Sequence, residues 1–214
     1  MRNWKAVIFD LDGTLTDTLA DIGNAMNLAL RQNGLPEWLI EDYRYLVGNG
    51  AKILAQRAVR DRQDLTEAVL AVYQQEYRAH SRVLTQPYNG IPNLLDRLNE
   101  EKIPVCVFSN KPHPQTEDVV KHYFPDTDFA VILGQTDRFP IKPDPAGALW
   151  IARQLGIPPE QFAYLGDTKV DMTCAKAAGM HPIGVLWGFR EAPELIESGA
   201  ERLITKPAEL LEDN

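Results

Sequence analysis

The sequence has little cysteine, no long apolar run and no excess of positive charge. Its 214 residues include two cysteines, Cys106 and Cys174, which give neither a disulfide framework nor the spacing of a zinc site. No apolar run approaches the roughly 20 residues of a membrane-spanning helix. The first apolar segment is also too short, and too acidic at its end, for a signal peptide. We therefore expect a cytoplasmic protein that has no membrane partner.

The charge balance and the scarcity of serine exclude two further classes. Lys and Arg total 22 against 30 for Asp and Glu, which gives a net charge of −8. A nucleic-acid-binding protein usually carries a basic surface, so this balance argues against nucleic acid as a partner. Only three serines are present, and none lies in a G-x-S-x-G motif, which argues against a serine hydrolase.

Short apolar runs alternate with helical patterns along most of the chain. Continuous apolar runs of this length are typical of strands that are buried on both faces of a parallel sheet. The predicted strands are 4–9, 103–108, 129–133, 162–165, 183–187 and 202–205. The predicted helices between them are 93–100, 144–155, 170–178 and 192–198. This alternation predicts an α/β fold, a parallel sheet with helices on both faces.

One long segment lacks strands and interrupts the alternation. Between residues 16 and 86 the apolar residues recur at helical spacing, as in Leu19, Ile22 and Met26. We therefore predict two domains, with residues 1–15 and 87–214 forming the α/β core and residues 16–86 forming an inserted all-helical domain.

Acidic residues follow two of the predicted strands. Asp10 and Asp12 end the first strand, and because residues two apart on a strand face the same way, both should point beyond its carboxyl end. Asp167 follows the fourth strand, and Asp171 lies in the next turn. If these strands are neighbours, the four carboxylates converge, and an oxygen-only set of ligands suits Mg²⁺.

Polar residues also follow the second main strand and precede a helix. Ser109 and Asn110 at a helix N-terminus are able to hold phosphate oxygens. Lys142 would offset the charge of a phosphoryl group or of the crowded aspartates. Taken singly, each of these residues is as readily a helix cap, a turn residue or a solvated surface charge. Their joint occurrence at four successive strand ends favours a functional site.

This pattern resembles the haloacid-dehalogenase-like phosphatase superfamily over essentially the whole chain. The first family motif, DxDGT, is present as residues 10–14, and the second and third are present as Ser109 and Lys142. The fourth is the GDTKVD of residues 166–171. The resemblance implies a Rossmann-like core with a helical cap domain inserted after the first motif. Residues 46–52, 110–112 and 184–189 resemble the phosphoglycolate phosphatases in particular.

The resemblance implies a chemical role for each aspartate. Asp10 would attack phosphorus to form an aspartyl-phosphate, and Asp12 would serve as the general acid and base. Mg²⁺ would be held by Asp10, the backbone carbonyl of Asp12 and Asp167, with Asp171 in support. The second aspartate of the DxD motif favours a phosphatase or mutase over a dehalogenase, and Ile22 stands where the mutases of this cap class carry histidine.

The resemblance also implies a substrate class. Ser109, Asn110 and Lys142 would hold the phosphoryl group, and the cap residues Gly48, Asn49 and Lys52 would contact the leaving group, with Arg44 as an alternative cation. The favoured substrate is 2-phosphoglycolate, and pyrophosphate, a nucleotide monophosphate or a sugar phosphate remain alternatives. The expected partner is thus a small anionic phosphate ester, and the expected assembly is a monomer or homodimer.

Two non-enzymatic functions use similar residues. A phosphoacceptor signalling domain also gathers aspartates, a hydroxyl and a lysine around Mg²⁺, but it carries its acceptor on a middle strand and lacks a 70-residue helical insertion. A catalytically silent phosphate-binding regulator is the other alternative. Steady turnover that is lost in Asp10→Asn would exclude both.

Overall fold

The computed structural model describes residues 4–212 and divides the chain into two compact units. The first comprises the residues up to Thr16 together with those from Pro87 onward, and the second is Asp17–Gln86. None of the helices described between residues 4 and 212 is long and apolar enough to cross a membrane.

A six-stranded parallel sheet forms the centre of the first unit. The strands along the chain are β1 (Ala6–Phe9), β2 (Thr16–Asp17), β3 (Gln86–Pro87), β4 (Val105–Pro112), β5 (Phe129–Gln135), β6 (Phe162–Gly166), β7 (His181–Val185) and β8 (Arg202–Ile204). The order in the large sheet is β5-β4-β1-β6-β7-β8, and β2 and β3 form a separate two-stranded sheet. β1 therefore lies between β4 and β6, which brings the carboxyl ends of these three strands together.

Nine helices are described between residues 4 and 212. Those of the second unit are α1 (Leu19–Gln32), α2 (Tyr43–Leu46), α3 (Gly50–Ala58) and α4 (Thr66–His80). Those of the first unit are α5 (Ile91–Glu100), α6 (His113–Tyr123), α7 (Ala146–Leu155), α8 (Lys169–Ala177) and α9 (Ala192–Glu197).

Alternate residues of β1 are buried in two different apolar cores. Val7 and Phe9 pack in a core that includes α5 and α6. Ala6 and Ile8 pack in a second core that includes α7 and α8, and Cys106 lies fully buried there. A strand covered on both faces needs an apolar side chain at every position, which explains the unbroken apolar run in the sequence. The predicted α/β fold with a parallel sheet is confirmed.

All six strands of the large sheet differ from the prediction by one to four residues at one or both ends, and one helix of the first unit was not predicted. β4 continues past Phe108 to Pro112 although residues 109–111 are polar, because these side chains are buried with polar partners. β7 spans His181–Val185, so Trp187 lies beyond the strand, where its Nε1 donates to the carbonyl of Thr14 at 2.9 Å. α6 was missed because its sequence is mostly polar and gives a weak apolar periodicity.

The second unit is helical except for a two-residue strand at each end of it. A buried carboxylate ties the end of this unit to its first helix. Asp21 of α1 is 4% exposed and accepts hydrogen bonds from the backbone N–H groups of residues 83–85 and from the hydroxyl of Thr85, at 2.8–3.0 Å. These four donor groups thereby satisfy the buried carboxylate of Asp21.

Candidate active site

Three carboxylates meet at the carboxyl ends of β1 and β6. Asp10 follows β1, Asp167 follows β6, and Asp171 lies in the first turn of α8. One ligand atom from each lies within 4.8 Å of the others. All three residues are buried, Asp167 and Asp171 completely. The adjacency of β1 and β6 produces this cluster, since ligands of open α/β sheets bind beyond the carboxyl ends of the strands.

Lys142 supplies positive charge within the carboxylate cluster. Its Nζ lies 2.9 Å from Oδ1 of Asp10 and 2.6 Å from Oδ1 of Asp171, and it also donates to the carbonyl of Phe108 at 3.0 Å. Burial by itself lowers the pKa of the Lys142 ammonium, but the two carboxylates outweigh burial and raise that pKa above its ordinary value. Lys142 is therefore held in its charged form.

One ammonium does not balance three buried carboxylates. Burial raises the pKa of Asp10 to about 7, with a smaller raising effect from Asp171 and Asp12 and a partial offset from Lys142. Burial, Asp171 and Asp10 likewise raise the pKa of Asp167 well above its ordinary value. Crowded carboxylates of this kind require a proton or a cation. Because all the donor atoms are oxygens, the cluster fits a hard divalent cation.

Backbone donors and two glycines fix the carboxylates in place. The N–H of Leu11 donates to Asp10 at 2.7 Å, and the N–H of Phe189 donates to Asp167 at 2.8 Å. Gly13 has φ +87°, and a Cβ there or at Gly188 would overlap the side chain of Asp167. The DxDGT loop therefore approaches Asp167 more closely than any residue with a side chain would allow.

Asp171 has a structural role as well as its place in the cluster. Its Oδ2 accepts from the hydroxyl of Thr168 at 2.7 Å and from the Thr168 N–H at 3.2 Å, which forms a capping box at the start of α8. Its Oδ1 binds Lys142. Both oxygens of Asp171 thus have protein partners, and Asp171 anchors Lys142 to α8.

Ser109 and Asn110 lie in the extended part of β4 and are buried. The Ser109 hydroxyl accepts from the N–H of Lys111 at 3.2 Å. Asn110 donates to the carbonyl of Lys142 at 3.1 Å and accepts from its N–H at 2.8 Å. Asn110 thereby positions the backbone of Lys142, and its contact with a phosphoryl group stays a prediction.

Lys111 is the site residue to which the sequence analysis gave no role. Its Nζ donates to both oxygens of Asp12, at 2.8 and 2.9 Å, and its side chain is only 3% exposed. A strand predicted to end at Phe108 leaves the direction of residues 109–111 undefined. The structure continues β4 through these residues, with an irregular register between Phe108 and Pro112, and this extension brings Lys111 to Asp12.

The predicted leaving-group residues all lie in the second unit. Asn49 precedes α3, and its side-chain oxygen accepts from Arg57 at 2.8 Å. Arg57 also donates to the carbonyl of Leu46 at 2.7 Å, so it braces the loop that contains Gly48. Lys52 forms an ion pair with Glu67 at 3.0 Å and is 63% exposed. The role of these residues in substrate binding stays a prediction.

Comparison with known proteins gives a family for this site. Residues 7–185 match the model of the haloacid dehalogenase-like hydrolase family. The chain is 31% identical to phosphoglycolate phosphatase 1 of Pseudomonas aeruginosa, over 97% of this chain and 78% of that protein. It is 32% identical to the phosphoglycolate phosphatase of Chromobacterium violaceum, over 98% of this chain and 96% of that protein.

Solved structures share the whole architecture. A predicted phosphoglycolate phosphatase from Haemophilus somnus superposes with a TM-score of 0.91 at 26% identity, over 99% of this chain and 98% of the other. A haloacid dehalogenase-like family hydrolase from Streptococcus pneumoniae superposes with a TM-score of 0.88 at 26% identity, with the same coverage. The chain therefore belongs to the haloacid dehalogenase-like hydrolases, and it is an enzyme of the phosphatase kind within that family.

Proposed function

We propose that this enzyme hydrolyses a small phosphate monoester through an aspartyl-phosphate on Asp10, with Mg²⁺ as its cofactor. The observation that carries the proposal is the place of Asp10 in the cluster. It lies at the carboxyl end of the central strand β1, and its Oδ1 is 2.9 Å from the ammonium of Lys142. A carboxylate in this setting is able to act as a nucleophile once its charge is offset.

Asp10 and Asp167 are the residues that would hold Mg²⁺, together with the backbone carbonyl of Asp12 and with Asp171 in support. The donor atoms fit Mg²⁺, because they are buried carboxylate oxygens. Burial raises the pKa values of Asp10 and Asp167, so without a divalent cation these carboxyl groups would hold protons. Asp171, whose two oxygens already have partners, supports the site chiefly through Lys142. Bound Mg²⁺ would offset the charge between the nucleophile and the phosphate.

The chain's own residues account for the bond changes. An oxygen of Asp10 forms a bond to phosphorus while the bond from phosphorus to the ester oxygen breaks, and Asp12 gives its proton to the departing oxygen. Water then attacks phosphorus, Asp12 takes the proton from that water, and the bond from Asp10 to phosphorus breaks to release phosphate. The proton that Asp12 loses while the aspartyl-phosphate forms is thus regained when water hydrolyses that intermediate.

The phosphoryl oxygens would be held by Ser109 and Lys142. Ser109 is 3% exposed in the second half of β4, and its hydroxyl is a donor of the kind that binds phosphate. Lys142 is fixed by the backbone contacts of Asn110, so its charge does not have to be reoriented during the reaction. The substrate contact of Asn110 is part of this proposal.

The favoured substrate is 2-phosphoglycolate. It is supported by the curated relatives named as phosphoglycolate phosphatases, at 31% and 32% identity over nearly the whole chain. We also propose that residues 16–86 form a cap domain and that Gly48, Asn49 and Lys52 contribute to recognition of the leaving group.

The nucleophile is tested with Asp10→Asn, and Asp126→Asn serves as a matched control at an exposed aspartate. We expect Mg²⁺-dependent release of phosphate to vanish in the first variant and to persist in the second. Acid quenching of wild type during turnover should leave one phosphoryl group on the peptide that contains residue 10, detected by mass spectrometry. Unchanged turnover in Asp10→Asn would refute the proposal.

The substrate is tested with a panel of about ten phosphate esters in the presence of Mg²⁺, including pyrophosphate, a nucleotide monophosphate and a sugar phosphate. We expect the highest kcat/KM for 2-phosphoglycolate. A preference of about 10-fold for another ester, equivalent to about 1.4 kcal/mol in the transition state, would replace the substrate and leave the phosphatase mechanism standing.

A further inference from the structure

Lys111 is a buried ammonium beside the residue proposed as the general acid. Both oxygens of Asp12 bind its Nζ, at 2.8 and 2.9 Å. The Lys111 side chain is 3% exposed, whereas that of Asp12 is 20% exposed. Asp12 is therefore the more exposed member of the pair, so a second anion would reach Lys111 from the side on which Asp12 lies.

The pair belongs to the same sheet edge as the nucleophile. Asp10 and Asp12 both follow directly after β1, which ends at Phe9. The N–H of Lys111 donates to the hydroxyl of Ser109 at 3.2 Å. In the proposed mechanism Asp12 protonates the departing oxygen, so the leaving group of a bound ester lies towards Asp12 and its partner Lys111.

We propose that Lys111 recognises a carboxylate on the leaving group of the substrate, which takes the place of Asp12 on the ammonium. This inference rests on the proposed phosphatase function and names the class of its substrate, a phosphate ester with an anionic group one carbon from the ester oxygen. When the substrate carboxylate binds Lys111, Asp12 is released to contact the ester oxygen. An uncharged leaving group does not compete for Lys111 and leaves Asp12 on it.

Burial makes Lys111 a better discriminating cation than the lysine predicted from the sequence. Lys52 is 63% exposed and is paired with Glu67, and an exposed ammonium interacts weakly with anions because water screens it. Lys111 is buried, so the same charge acts in a lower effective dielectric. Lys111 therefore makes the main contact to the substrate carboxylate, and the exposed Lys52 contributes a weaker one.

The test compares two esters of nearly equal size, 2-phosphoglycolate and 2-hydroxyethyl phosphate, in wild type and in Lys111→Met. The exposed Lys121→Met is the matched control. We expect the kcat/KM preference of wild type for phosphoglycolate to fall about 30-fold in Lys111→Met, which corresponds to about 2 kcal/mol in the transition state. Lys111→Arg should keep most of the preference, and Lys121→Met should keep all of it.

Equal loss on both esters in Lys111→Met would overturn the inference, because it would mean that Lys111 serves only to position Asp12. Wild type that hydrolyses both esters equally well would also overturn it, while the proposed phosphatase function would stand. Absence of Mg²⁺-dependent hydrolysis of every ester would instead defeat the proposed function, and the inference with it.

A measurement on wild type covers the case in which Lys111→Met does not fold. Glycolate and ethylene glycol, the two alcohol products, are compared as competitive inhibitors of p-nitrophenyl phosphate hydrolysis. Glycolate should inhibit at a concentration at least about 10-fold lower, since only it carries the carboxylate. Equal inhibition by the two alcohols would overturn the inference without any substitution.

Discussion

Replacing Lys142 with methionine removes the ammonium that lies among the three buried carboxylates while keeping a long apolar stem. Lys142 is 1% exposed, and its Nζ is 2.9 Å from Asp10 and 2.6 Å from Asp171. Removing one partner of a buried ion pair typically costs about 3–5 kcal/mol, because the remaining charges are left uncompensated. We therefore expect Lys142→Met to destabilise the metal-free protein by about this amount at pH 8.

The loss of stability in Lys142→Met should be larger at high pH than at low pH. The pKa of Asp10 is raised to about 7 and that of Asp167 is raised well above its ordinary value. A carboxyl group with a raised pKa in the folded state binds more protons when folded than when unfolded, so the stability it gives falls as the pH rises from about 4 through the folded pKa. Lys142 lowers the pKa of Asp10, so its loss raises that pKa further, and the variant is penalised more at pH 8 than at pH 5.

The assay is thermal unfolding in EDTA at pH 5 and pH 8, with the exposed Lys121→Met as the control. At about 2–4 °C per kcal/mol for a chain of this size, the apparent Tm of Lys142→Met should fall by about 10 °C at pH 8. The fall should be clearly smaller at pH 5, and the control should change little at either pH. Equal losses at the two pH values would refute the reasoning, because they would mean that the lysine stem, and not its charge, stabilises the site.

Three further predictions address the metal site, the DxDGT loop and the helical unit. Mg²⁺ at about 100 times its dissociation constant should stabilise the wild type by about 2.7 kcal/mol. The stabilisation should be larger at pH 8 than at pH 5, because protons compete with the metal for Asp10 below its pKa of about 7. Asp167→Asn should abolish the thermal shift caused by Mg²⁺, and an undiminished shift would place the metal elsewhere. Gly13→Ala should abolish turnover, because the new Cβ would overlap Asp167. Gly156 also has a positive φ but has open space around it, so Gly156→Ala should lose only about 1–2 kcal/mol of stability and no activity. Equal activity in the two variants would contradict the packing argument. Asp21→Ala should lower the free energy of unfolding in urea by about 2–3 kcal/mol, since three backbone N–H groups lose their acceptor. A loss of stability no larger than that of the exposed Asp61→Asn would show that the contacts of Asp21 are weak.

The positions of the four inner strands, β4, β1, β6 and β7, could be predicted from the sequence because both of their faces are covered. A strand such as β1 has no solvent-facing position, so its sequence is an unbroken apolar run that no surface segment shares. The carboxyl end of such an apolar run is also easy to locate in the sequence. The amino-acid pattern was therefore enough to place Asp10 and Asp167 in one carboxylate cluster.

The extension of β4 could not be predicted by the same signal. Residues 109–111 are polar, and their burial depends on partners that are distant in sequence, namely Lys142 for Asn110 and Asp12 for Lys111. Local apolar patterning carries no information about such pairings. The ion pair between Lys111 and Asp12 joins residues 99 positions apart, and it emerges only when β1 and β4 are known to be neighbours.

Asp171 illustrates why the structural and the functional interpretation of a site residue are not exclusive. As a single residue, an aspartate after a strand is most readily a helix cap, and Asp171 does cap α8 through Thr168. Its second oxygen binds Lys142, which in turn binds Asp10. The cap therefore fixes the position of Lys142 between the start of α8 and Asp10. The terminus of α8 thus orients the ammonium that, in the proposed mechanism, offsets the charge of Asp10.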